Sequence, residues 1–75
     1  MKEEQSVHLY SKVTIQCDHK KRTLRIVRPG EVDTTENKIS QNSPVGKALM
    51  NKRVEDTVSV QTLGGAVDYV IVSID

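Results

Sequence analysis

The chain has 75 residues, enough for one domain and close to the lower size at which a single core sustains itself. Its hydrophobic fraction of 36% and charged fraction of 28% are those of a globular protein and exclude an intrinsically disordered one. A net charge of +1 leaves no overall field to draw in nucleic acid or an anionic membrane.

With no Trp, no Phe and only Tyr10 and Tyr69, the core is expected to be aliphatic and the stability to sit at the low end of roughly 5–15 kcal/mol. Cys17 is the one cysteine, so an internal disulfide is ruled out and a reducing, cytoplasmic compartment fits. No apolar run approaches the ~20 residues of a membrane-spanning helix, and MKEEQSVH has no signal-peptide character.

Residues 1–6 are polar and unpatterned, and are expected as a flexible start to a domain spanning 7–75. From Lys12, Val13, Ile15 and Cys17 alternate with Thr14 and Gln16, the pattern of a half-buried strand. A turn over Asp18–Lys21 leads to a second strand carrying Leu24 and Ile26. If it centres on His19 and Lys20, Ile15 faces Leu24 and Val13 faces Ile26, which matches the apolar faces. Arg28-Pro29-Gly30 ends the strand, and Glu31 to Lys38 is expected as a polar loop.

The stretch "ISQNSPVGKALM", residues 39–50, predicts a sharp corner into a helix. Ser43 is a good N-cap, and Pro44 suits the first helical position, where its missing N–H costs nothing. Val45, Ala48 and Leu49 form one apolar stripe along two or three turns, with Lys52 and Arg53 complementing the C-terminal dipole. Thr57–Leu63 and Ala66–Ile74 then flank Gly64-Gly65 as a hairpin, setting Val60 opposite Tyr69 and Val58 opposite Ile71. Val70, Val72 and Ile74 fall on the other face, which predicts a strand covered on both sides. Two hairpins with a helix between them give an α+β fold, a small antiparallel sheet packed on one short helix.

No catalytic, metal or cofactor site emerges. His8 and His19 have no partners at ligand spacing, and Cys17 reads as a small buried apolar side chain. Glu31, Asp33 and Glu36 read as a solvated loop rather than a cation cage. Gly64-Gly65 lacks the length and following helix of a phosphate loop. The basic run His19-Lys20-Lys21-Arg22 with Arg25 and Arg28 makes a nucleic-acid-binding hairpin over 19–28 the alternative function. It has no interleaved aromatics on which bases could stack, so direct nucleic-acid binding is expected to be weak or absent.

The order of these features resembles the C-terminal domain of the bacterial Gre-type transcript cleavage factors, from about Val7 to Ile74. "ISQNSPVGKAL" and "VEDTVSVQTLGGAVDYVI" carry the resemblance at the family's spacing, with "LYSKVTI" and "LRIV" fitting its preceding strands. Leu63 stands where the family often has proline. "PVGKAL" is also similar to the regulator of nucleoside diphosphate kinase, a second factor that binds polymerase. The resemblance implies an FKBP-like fold without isomerase activity, whose partner is the largest-subunit coiled coil at the rim of the RNA polymerase secondary channel. By position it assigns the contact to Asn42, Ser43 and Pro44, with Gln41 and Lys47 beside them. Cleavage in that family depends on a separate N-terminal coiled coil, and the six residues before Val7 reach only ~20 Å. The expectation is therefore a monomeric, non-enzymatic binding domain with no cofactor.

Overall fold

The computed structural model describes residues 5–75. A five-stranded sheet is built from β1 (Lys12–Cys17), β2 (Lys20–Val27), β3 (Lys38–Ser40), β4 (Thr57–Thr62) and β5 (Gly65–Ile74), with one helix, α1 (Pro44–Leu49). The strand order is β3-β2-β1-β5-β4. The β1–β2, β1–β5 and β4–β5 pairs are antiparallel, but β2 and β3 run parallel. The sheet is therefore mixed, not antiparallel throughout. No helix among the described residues is long and apolar enough to cross a membrane.

The predicted loop over 31–38 accounts for this difference. Its polar residues form two single turns of 3-10 helix, Pro29–Glu31 and Thr34–Glu36, and the chain comes back alongside β2 as β3. Asn37 takes the left-handed conformation (φ +58°) that redirects it, a role asparagine fills at low cost. A three-residue strand leaves no alternation to read, so nothing in the pattern announces it.

Both hairpins close one residue earlier than expected. Val13 pairs with Leu24 and Ile15 with Arg22, around a turn at Asp18 and His19. Val58 pairs with Tyr69 and Val60 with Val67, around Leu63 and Gly64, while Gly65 (φ +114°) already pairs with Thr62. Moving a turn by one residue shifts the pairing by two, so each side chain keeps its face.

The core lies on one face of the sheet, from Val13, Ile15, Leu24, Ile26, Val58 and Ile71, closed by Val7 and by Leu49 of α1. The opposite face is open: Val70 and Val72 are exposed, against the expectation of cover on both sides. Ile74 does not share their face. Between Thr14 and Ile15 the β1–β5 register slips by one, with Val72 the extra residue, and this bulge returns Ile74 to the core. The expected flexible start falls partly on residues 1–4, outside the described residues. Ser6, also included in it, instead forms a bridge with Arg53, and the Val7 N–H bonds the Lys52 carbonyl at 2.8 Å.

Candidate functional site: the helix-capping corner and the open end of the sheet

The corner between β3 and α1 is tied down by its own backbone. The Ser40 carbonyl accepts from both the Ser43 N–H (3.0 Å) and the Ser43 hydroxyl (2.7 Å). That hydroxyl in turn accepts from the Gly46 N–H at 3.0 Å, the predicted N-cap bond. The Asn42 N–H bonds the Ser40 hydroxyl at 2.9 Å, and the Gln41 N–H bonds the Val27 carbonyl at 2.9 Å. The helix starts at Pro44, as its sequence dictates, but has only six residues and ends well before Lys52 and Arg53.

This bonding separates the predicted contact residues into two kinds. Gln41 and Ser43 are half-buried, whereas Asn42, Pro44 and Lys47 are exposed. Pro44 and Lys47 lie three residues apart, hence on one side of the helix. A rigid backbone thus displays an amide, a compact apolar ring and a cation together. Rigidity matters because less order is lost when a partner docks.

Sequence reasoning missed a concave feature away from the corner. Six helical residues measure only ~9 Å, while the ten residues of β5 measure ~33 Å. The helix contacts β3 and β4 and leaves the far end of the core face uncovered. There a cleft of about 440 Å³ is floored by Ile15, Cys17 and Tyr69 and rimmed by Asp18, His19, Lys20 and Arg22. Cys17 is half-buried in it, not enclosed in the core as expected. Comparing predicted helix and strand lengths was the signal that could have found it. Arg22 lines this cleft, whereas Val27 holds the corner, so along β2 the two lie ~17 Å apart, at opposite ends of the sheet.

The basic run does not form one surface. Lys20 and Arg22 share the cleft side, while the alternation turns Lys21 and Arg25 to the other face of β2. The three loop acids are likewise dispersed. The Tyr10 hydroxyl donates to Glu31 at 2.6 Å, the main cause holding the Glu31 carboxyl below its ordinary value. Asp33 accepts from the Thr35 hydroxyl (2.6 Å) and N–H (3.0 Å), which lowers it too, and Glu36 pairs with Lys38 at 3.4 Å. The His8 ring contacts the Ser6 carbonyl, and His19 stands exposed at the hairpin tip. Among the described residues no three His, Cys, Asp or Glu side chains gather as a metal site.

Comparison with known proteins bears on this geometry. The family model "Transcription elongation factor, GreA/GreB, C-term" matches residues 2–75. The transcription elongation factor GreA of Legionella pneumophila (strain Corby) is 44% identical over 52 residues, covering 69% of this chain and 32% of that protein. GreA of Christiangramia forsetii is 34% identical over 68 residues, 91% of this chain and 43% of its own length. The crystal structure of Thermus aquaticus Gfh1 superimposes with a TM-score of 0.87 at 33% identity, over 95% of this chain and 48% of that one. GreA/GreB from Nitrosomonas europaea gives 0.75 at 30% identity, over 88% and 57%. The chain thus spans from about a third to somewhat over half of the length of these relatives.

Proposed function

The chain belongs to the family of the C-terminal domain of the GreA/GreB transcription elongation factors, and on that premise we propose that it is an RNA polymerase-binding module. It docks at the rim of the secondary channel, on the coiled coil of the largest subunit, and modulates transcription elongation in the bacterial cytoplasm. The contact is made by Asn42, Pro44 and Lys47, held in place by Gln41 and Ser43. These 75 residues act by occupancy rather than chemistry. The FKBP-like relationship belongs to the same reading and brings no isomerase activity, since two tyrosines cannot line the aromatic pocket such chemistry uses.

The observation that carries this reading is the corner itself. Its backbone is fixed by five hydrogen bonds from Gln41, Asn42, Ser43 and Gly46, while three chemically distinct side chains face outward. The dispersal of the basic residues over two faces of β2 works against a nucleic-acid-binding hairpin.

A pull-down of core polymerase, with the isolated rim coiled coil as competitor, tests the proposal. Retention that the coiled coil abolishes supports it. Retention only by nucleic acid, falling steeply with salt, transfers the function to the basic hairpin.

A further inference from the structure

Strand β4 lies at the edge of the sheet and, among the described residues, pairs only with β5. The Asp56 carbonyl accepts from the Ile71 N–H at 3.0 Å, pointing toward β5. By the alternation of an antiparallel ladder, Val58 and Val60 follow it, and Thr57, Ser59 and Gln61 aim their backbone N–H and C=O groups outward. The six residues TVSVQT contain no charge and no proline, the devices that ordinarily blunt an edge. The opposite edge is protected: β3 has three residues, and Lys38 exchanges two backbone bonds with Asp33.

We propose that β4 pairs with the β4 of a second copy of this chain, antiparallel about a twofold axis at Ser59, joining the two sheets into one. The occupant is a second copy because the strand is complementary to itself in this register. Ser59 meets Ser59 of the second copy, Thr57 meets Gln61, and Val58 meets Val60. All three pairs join outward-facing groups or like faces, so the ladder closes with polar side chains on the open face and valines on the core face. Glu55 and Asp56 arrive beside the uncharged turn of the other chain, and the acids of the two copies stay apart. This assembly departs from the monomer expected from the sequence and does not depend on polymerase binding.

Sedimentation of the 75-residue chain from roughly 10 µM to roughly 1 mM tests it. The mass is expected to rise with concentration from 8.4 kDa toward twice that value. Ser59→Lys and Ser59→Glu should each sediment as single chains, because like charges then oppose each other on the axis. An equimolar mixture of the two should recover the dimer. Circular dichroism should show both variants folded, as the exposed Ser59 side chain leads one to expect. A wild-type chain that stays single at ~1 mM overturns the proposal. So does a dimer that persists in either charged variant alone.

Discussion

Gly46 of α1 lies so close to the Ser40 carbonyl oxygen of β3 that a side chain has no room. A Cβ added there would collide with that oxygen and stand 3.1 Å from the Gln41 α-carbon. The obstacles are backbone atoms, which cannot swing away as a flexible side chain can. Alanine is the better helix former by about 1 kcal/mol, yet Gly46→Ala is expected to destabilise, since overpacking costs ~1–3 kcal/mol and here displaces the strand. A melting temperature lowered by several degrees is the expected result. An unchanged or raised value would show that helix and strand part at little cost.

Pro44→Arg should weaken polymerase binding more than folding. The first helical position tolerates most residues, so the folding cost is on the order of 1 kcal/mol or less. At the contact, a compact ring is replaced by a long solvated charge. Ser43→Ala serves as the control: it removes the bond from the Gly46 N–H and costs about 1 kcal/mol of stability. Melting curves and polymerase affinities of both variants decide the matter. A folded Pro44→Arg protein that binds like wild type would reduce the corner to a helix cap.

Ile71 and Val72 are neighbours in β5 with opposite environments, one fully buried and the other exposed. Ile71→Ala is expected to cost ~2–5 kcal/mol, a large share of the stability expected of a domain of this size, and to lower the melting temperature steeply. Val72→Ala should change the melting temperature little. Equal effects at the two sites would contradict the assignment of Ile71 to the core face and Val72 to the open one.

The Tyr10–Glu31 bond predicts a specific dependence on acid. Glu31 sits below its ordinary value of 4.5 because Tyr10 donates to its carboxylate, and Tyr10 is raised above 10.0 by the same bond. A depressed carboxyl contributes stability that is present above the unfolded value and is lost as pH falls through the folded one. Tyr10→Phe should therefore lower stability near neutrality and converge with wild type below about pH 4.5. Thermal melts across that range provide the comparison. Both groups are exposed, so the difference should be small.

Added to a backtracked polymerase complex, the chain is expected to bind without stimulating cleavage. The acids of the loop before the corner, Glu31, Asp33 and Glu36, are each engaged locally with Tyr10, Thr35 and Lys38. Gel analysis of the transcript is the readout. Metal-dependent shortening above the polymerase's own rate would contradict this expectation.

The features legible in the sequence are those whose causes lie within a few residues. Ser43 and Pro44 specify the cap and helix start by bonds that span three positions, and the corner was readable for that reason. The alternation of Val13, Ile15, Val58, Val60 and Ile71 likewise assigned each to the core face before any pairing was known. What alternation could not supply was register, because its period of two is blind to a shift of two, and both hairpins turned out shifted by that amount. Nor could it show that Val72 bulges and returns Ile74 to the core, or that β3 lies parallel to β2. Those outcomes depend on how elements distant in the chain fit side by side, and only assembly of the sheet decides them.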